Sequence, residues 1–343
     1  KKKIMAVNNE MAADALRILG FAYKELSSLE KSEEANLIFV GLAGMMDPPR
    51  PEVIEALKIC ASAHIEVVMI TGDHAVTAQA IGEEIGLFKK GDELVTGDEL
   101  EQMSDAELNR RVEKIRIYAR VSPTHKVKIL KALKKKGHIV AMTGDGVNDA
   151  PALKSADIGV AMGITGTDVS KEASQMVLTD DNFATIVSSV ESGRTTYRNI
   201  KKFIRFLLSA NFDEVLLISV VFLLGYPLPL LPLQILWINL LTDSLPAIAL
   251  GSDTAEKDIM RLKPRNPDAN IFKELLSFSI VAGLLSAGVS LLIFFHSVQS
   301  DTIEHTRTLM FTTIVVFELF LVFSVRFEDK HYFTAFFKNH FLF

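Results

Sequence analysis

At 343 residues the chain has room for about two domains. With 37 Lys and Arg against 42 Asp and Glu, its net charge of −5 leaves no basic stripe to neutralise a nucleic-acid backbone. One cysteine, Cys60, excludes an intrachain disulfide and reads as a small buried hydrophobe. The 49% hydrophobic content is unevenly spread, because residues 1–202 are mixed and charged and the apolar runs lengthen sharply from Phe203.

Along the chain, residues 8–29 read as an amphipathic helix followed by polar sequence, and 37–42 (LIFVGL) as a buried strand. Asp47-Pro48-Pro49-Arg50 breaks the pattern, since two adjacent prolines fix φ and remove donors, giving a stiff turn or hinge. After it come helix 53–63, strand 65–70, helix 76–85, strand 115–119, helix 123–134, strand 138–142, a short helix 151–156 and a short strand 158–161. Strands alternating with helices predict βαβ units around a parallel sheet, whose chemistry gathers at the carboxyl ends of the strands.

Three polar clusters fall at such ends. Thr71-Gly72-Asp73 follows strand 65–70; its glycine lets a phosphate approach the backbone and its hydroxyl can bond a phosphoryl oxygen, although the same triplet is also an ordinary turn and helix cap. Residues 143–149 (TGDGVND) follow strand 138–142. Two aspartates four residues apart, with glycines for a tight turn, can place two hard oxygens around one Mg²⁺. Lys126, opening the helix after Ser122-Pro123-Thr124-His125, can set a point charge on a phosphoryl group, while His125 reads as a helix-start residue.

Four apolar stretches follow, at about 203–226, 228–250, 274–295 and 308–325, each long enough to cross a membrane core of ~30 Å. Gly225-Tyr226-Pro227 is expected to join the first two as a tight hairpin. The connection 252–273 carries Lys257, Arg261, Lys263, Arg265 and Lys273, and 296–307 only Arg307, so the positive-inside rule places the former in the cytoplasm. Lys201, Lys202 and Arg205 at the mouth of the first stretch agree. Polar residues interrupt these stretches: Asn211, Asp213 and Glu214, then Asn239, Thr242 and Asp243, then Glu318. Such residues are costly in a bilayer and need compensation. Asn211 and Glu214 share a helix face by spacing, and so do Asn239, Thr242 and Asp243, with Pro246 a turn beyond to disturb the backbone. Amide, hydroxyl and carboxylate oxygens on facing helices suit a hard cation such as Ca²⁺; a polar network joining helices is the plainer alternative. Asp213 points some 100° away and takes no firm role.

TGD, PTHK and TGDGVNDAPALK, preceded by DPPR, stand in an order that resembles the phosphorylation domain of P-type ATPases, which is of the haloacid-dehalogenase type. SANFDE and LWINLLTDSLPA resemble the fifth and sixth helices of calcium pumps of the sarcoplasmic-reticulum type. The resemblance covers essentially the whole chain and implies an α/β haloacid-dehalogenase-like (Rossmann-type parallel sheet) domain followed by an α-helical transmembrane bundle. It implies that residues 1–40 close a nucleotide-binding domain, 41–186 form the phosphorylation domain, 187–202 a stalk helix, and 203–343 the membrane domain, with a further span starting near 340. By resemblance, Asp145 binds the catalytic Mg²⁺, supported by Asn148 and Asp149; Lys126 and Thr71, beside Gly72, contact phosphoryl oxygens. Asp47, Asp73 and Arg120 lie near ribose and phosphate, and Arg17 contacts the nucleotide, ATP. Asn211, Glu214, Asn239, Thr242, Asp243 and Glu318 fall on ligand positions for the transported cation, Ca²⁺, among membrane lipid.

The family forms an aspartyl-phosphate on a DKTGT motif, and this sequence has none. The abrupt start at Lys1 and the apolar run near 340 read as the ends of a piece of such a pump, lacking its N-terminal half, the fourth-helix ligands and, by itself, the phosphorylating activity. No signal peptide is seen. The expected setting is a multi-pass integral membrane protein, in a bacterial inner membrane, with its soluble domain cytoplasmic. The alternatives are a pump for Na⁺, K⁺ or Mn²⁺, a membrane-anchored phosphatase of the haloacid-dehalogenase type, for which no Asp-x-Asp nucleophile is seen, and a non-catalytic ion-binding or partner-binding membrane fragment.

Overall fold

The computed structural model describes residues 2–13, 16–25, 37–45, 49–256, 258–267 and 269–326. The chain divides into two compact units at Ser188/Ser189. In the first unit, α1 (Lys2–Ala13) precedes an antiparallel pair, β1 (Arg17–Tyr23) and β2 (Ile38–Met45), with Arg17 opposite Met45 and Tyr23 opposite Ile38. The helix expected over 8–29 therefore ends at Ala13. The run RILGFAY fits either period, and pairing with β2 gives its backbone groups a ladder, which decides for strand.

After the pair come α2 (Pro51–Ser62), β3 (Met69–Ile70), α3 (Ala75–Glu84), β4 (Glu93–Thr96), α4 (Gly97–Gln102), α5 (Asp105–Arg111), β5 (Ile115–Ala119) and α6 (Pro123–Lys135). Then follow β6 (Ala141–Gly144), a 3₁₀ turn at Val147–Asp149, α7 (Ala150–Ser155), β7 (Ile158–Met162), α8 (Asp168–Ala173) and β8 (Met176–Leu178). Pro51 and Pro123 sit in the first turns of α2 and α6, where a missing N–H costs nothing. The strands form two parallel three-stranded sheets in the orders β3-β5-β4 and β6-β7-β8. β4, α4, α5, α8 and β8 were not foreseen, being too short to show a period. Leu100, Leu108, Ile115, Tyr118 and Ile129 form the core under the first sheet. Ile70 of β3 also packs against the Met142, Ala152 and Leu153 cluster beside β6. Thus β3 and β6 are near neighbours, yet among the described residues their facing edges share no ladder.

The second unit holds four helical segments long and apolar enough to cross a membrane. They are α9 (Phe183–Leu223); a composite of α10 (Pro232–Trp237), a π-helical turn at Ile238–Asp243 and α11 (Ser244–Gly251); α12 (Ile271–Ser300); and α13 (Ile303–Arg326). The tight hairpin expected at Gly225-Tyr226-Pro227 is a longer connection, because Pro227 and Pro229 deny donors to either helix and α10 starts only at Pro232. Two apolar layers cross this unit. One contains Leu217, Val221, Ile238, Phe294, Met310 and Ile314; the other contains Phe206, Leu250, Leu321, Val322 and Val325. Asp213, Glu214, Asp243 and Glu318 fall between the layers on each contributing helix and are all buried.

Candidate functional site

In the first unit the polar groups collect at the carboxyl ends of β3, β5 and β6. The Thr71 hydroxyl donates to the Asp73 carboxylate at 2.8 Å and accepts the Asp73 N–H at 3.1 Å, closing a tight loop over Gly72, which faces open space. This loop is tied to the end of β5: the Thr71 N–H donates to Tyr118 O at 2.9 Å, and the Arg120 N–H to Asp73 O at 3.1 Å. Arg120 is held in the left-handed region, φ 53°, with its guanidinium against the His74 ring. His125 caps its own helix, its Nδ1 accepting the Ser122 N–H at 3.2 Å, as its helix-start reading requires.

The two aspartates of 143–149 have different jobs. Asp149 is 6% exposed and turned inward; its Oδ2 accepts the N–H groups of Asp145 and Gly146, each at 3.2 Å, and its Oδ1 meets the Lys126 ammonium at 2.5 Å. A Cβ on Gly144 would lie 2.5 Å from the Asp149 Cβ, so only glycine fits there. Burial pushes the Asp149 carboxyl up, but Lys126 and the two amides outweigh it and hold the group below the ordinary range. Asp145 and Asn148 are exposed, and the Asp145 carboxylate is free of partners among the described residues. The Asp145 carbonyl is anchored by the Thr167 N–H at 2.9 Å and the Ser170 hydroxyl at 3.1 Å, two residues sequence reasoning passed over. The pairing of two hard ligands expected from spacing is therefore a division of labour: Asp145 faces outward and Asp149 organises the loop. Asp47 lies outside the described residues, as does the side chain of Arg17, whose backbone opens β1.

A prediction follows from the Lys126–Asp149 pair. Lys126→Met strands a buried carboxylate and is expected to lower stability by roughly 2–4 kcal/mol. Because the folded Asp149 carboxyl is depressed, its contribution is complete above an unfolded value of about 3.9 and is lost as pH falls through the folded one. Thermal unfolding followed from pH 7 down to pH 2 should show this acid-labile part in the parent chain and its absence in the variant.

In the helical unit the Asn239 amide donates to Glu214 Oε2 at 3.1 Å and to Ile235 O at 3.0 Å, joining the π turn to α9. Thr242 donates to Ile238 O at 2.9 Å. Both oxygens of Asp243 and both of Glu318 are buried without a hydrogen-bond partner, as is Glu214 Oε1. Glu318 lies within electrostatic range of Asp243, Glu214 and Asp213. No three acidic, histidine or cysteine side chains among the described residues converge tightly enough to chelate one ion. The disturbed backbone expected at Pro246 is the π turn just upstream, since the proline has no N–H to give the carbonyl a turn earlier. Asn211, expected beside Glu214, is exposed and donates to Leu207 O at 2.8 Å, whereas Asp213, left without a role, is buried. The offset of about 60° between positions three apart on a helix is enough to separate Asn211 from Glu214.

Lys202 and Arg205, read from sequence as basic flanks, are also buried. Lys202 Nζ meets Asp253 Oδ2 at 3.1 Å, and Arg326 holds both Asp253 oxygens at 3.2 Å. Asn199 donates to the Asp253 carbonyl at 2.7 Å. This ion cluster ties α9, the segment after α11 and the end of α13 together.

Comparison with known proteins adds a family. The haloacid dehalogenase-like hydrolases match residues 3–157, and the family described as cation transporting ATPase, C-terminus, matches residues 227–343. A calcium-transporting ATPase of Bacillus subtilis is 47% identical over 350 aligned positions, covering 100% of this chain and 39% of that protein. Calcium-transporting ATPase lmo0841 of Listeria monocytogenes is 44% identical over 98% of this chain and 39% of its own length. The human calcium-transporting ATPase type 2C member 1 is 43% identical over 94% of this chain and 35% of its own length. The chain thus spans about two-fifths of the length of the relatives it matches. It carries a haloacid dehalogenase-like domain followed by helices able to span a membrane, and it is an integral membrane protein. The chain belongs to the P-type cation-transporting ATPases and corresponds to the C-terminal part of their calcium-transporting members.

Proposed function

We propose that the whole protein is an ATP-driven pump that moves Ca²⁺ across a bacterial inner membrane through an aspartyl-phosphate, with its soluble part cytoplasmic. The observation that carries this reading is the layer of buried carboxylates, Glu214, Asp243 and Glu318, lying between two apolar clusters with oxygens that meet no donor. Buried unpaired charge is unfavourable unless a cation or proton joins it, and oxygen ligands of this kind suit Ca²⁺. Asn239 and Thr242 add neutral oxygens, and the exposed Asn211 would join them only with helices from outside these residues. Residues 1–40, 41–186, 187–202 and 203–343 then serve as the end of the nucleotide-binding domain, the phosphorylation domain, the stalk and the membrane domain. Relatives named calcium-transporting ATPases favour Ca²⁺ over Na⁺, K⁺ or Mn²⁺.

On this reading the acceptor aspartate comes from outside the chain. The unpaired facing edges of β3 and β6 would take one further strand, whose carboxyl end would lie beside Thr71, Lys126 and Asp145. Its carboxylate attacks the γ-phosphorus of ATP, and ADP leaves with the bridging oxygen. Lys126 and the Thr71 hydroxyl then meet phosphoryl oxygens, Asp73 holds Thr71, and Arg120 and Arg17 take the nucleotide-contacting roles that the resemblance implies. The exposed, unpaired Asp145 carboxylate with Asn148 beside it fits a hard Mg²⁺ ion, which would supply charge neutralisation to the phosphoryl group. Asp149 keeps the loop in shape and binds neither. The expected result is that this chain alone incorporates no acid-stable ³²P from labelled ATP. Co-expression with the N-terminal part restores Ca²⁺-dependent incorporation, and labelling of the chain alone would sink the assignment of an external nucleophile.

A further inference from the structure

We infer that Asp213 is a ligand of the transported divalent cation, positioned by Ser286 of α12. Nothing in the resemblance to other pumps assigns this residue. The inference rests on the pump reading above and adds one carboxylate to it.

Asp213 is 2% exposed, and its Oδ2 accepts a short hydrogen bond from the Ser286 hydroxyl. Its Oδ1 is buried and meets no donor. One turn further along α12, the Ser290 hydroxyl is wholly buried and also without a partner, on the face that Ser286 shares. From α13, Glu318 brings two further unpartnered oxygens within electrostatic range of Asp213. Asp213 of α9 and Glu318 of α13 therefore bring unsatisfied oxygens to one layer, with Ser290 of α12 a turn beyond it. The approach of α12 is close: a Cβ on Gly283 would lie 2.6 Å from the Phe212 ring and 3.2 Å from the Ser209 carbonyl, so Ser286 is delivered to Asp213 by backbone packing.

A structural hydrogen bond between helices would explain Oδ2 but leaves Oδ1 unsatisfied. No Lys, Arg or His among the described residues pairs with Asp213. Arg205, eight residues upstream and about 12 Å along the helix axis, stacks on Phe278 instead. With Glu214, Asp243 and Glu318 the layer holds four carboxylates, which two divalent ions would neutralise. A fourth charge raises affinity for a hard divalent ion far more than for a monovalent one.

The test uses the full-length protein in detergent, with equilibrium ⁴⁵Ca²⁺ binding and Ca²⁺ titration of phosphorylation by ATP. Asp213→Asn is expected to raise the half-saturating Ca²⁺ concentration about tenfold or more, Ser286→Ala to raise it about threefold, and Asp213→Glu to stay within about threefold of the parent. Parent protein with no Ca²⁺ dependence would sink the pump reading itself. Ca²⁺ dependence that Glu214→Gln shifts and Asp213→Asn does not would overturn this inference alone, as would an Asp213→Glu variant no better than Asp213→Asn. Should thermal unfolding show that Asp213→Asn does not fold, an unchanged half-saturation in Ser286→Ala overturns the inference.

Discussion

In the full-length protein, Asp243→Asn is expected to raise the Ca²⁺ concentration for half-maximal phosphorylation roughly 100-fold, equivalent to about 2.7 kcal/mol of lost binding. The residue closes the π turn and is 2% exposed, and neither carboxylate oxygen meets a donor. Its charge has no structural use within the bundle, so the substitution keeps the shape and removes what attracts a cation. Stability should move the other way: a buried neutral amide costs less than a buried unpaired carboxylate, so the thermal midpoint without Ca²⁺ should hold or rise. Ca²⁺-dependent phosphorylation and thermal unfolding measured on one preparation separate these effects. An unaltered Ca²⁺ titration would show that the layer between the apolar clusters is not the ion site.

Asp253→Ala should have the opposite signature, a loss of stability of about 3–5 kcal/mol, because the carboxylate that joins two buried cations goes and Lys202 keeps Glu256 at 3.4 Å. The group makes three charge-assisted contacts and is 8% exposed, far from the weak regime of surface ion pairs. Burial pushes its carboxyl up, yet the two cations hold it below the ordinary range, so its contribution is complete above about pH 4 and fades only on stronger acidification. Chemical unfolding in detergent at pH 7 and near pH 3 checks both parts. Parent and variant should differ by the full amount at the first pH and by less at the second. Equal stability at pH 7 would mean that Asp253 is not what holds Lys202 and Arg326 in place.

The polar loops at the strand ends were legible because their geometry is local. TGD and TGDGVND each follow a short apolar run, and a parallel sheet puts such runs' carboxyl ends on one side. The same locality explains the errors. RILGFAY suits two periods, and only β2, an antiparallel partner reached across 24–37, made it a strand. Spacing showed that Asp145 and Asp149 belong to one tight loop but could not say which faces inward. The choice belongs to Lys126, 23 residues away, and to the contact of Gly144 with Asp149. Within one turn of α9, spacing set Asn211 and Glu214 on one face and could not show that Asp213 is buried against Ser286, 73 residues later, while Asn211 stays exposed.

Taken alone, the sequence determined that a parallel-sheet domain with polar loops at its strand ends runs into apolar helices carrying carboxylates, since composition, period and short motifs are properties of neighbours along the chain. Only the tertiary structure decided which carboxylates meet donors and which stay unsatisfied. It also showed that Lys202, 51 residues from Asp253, and Arg326, 73 from it, are partners in one buried ion cluster. The reason is physical: burial and charge pairing depend on which helices pack side by side, and no spacing along one chain segment encodes a distance to another.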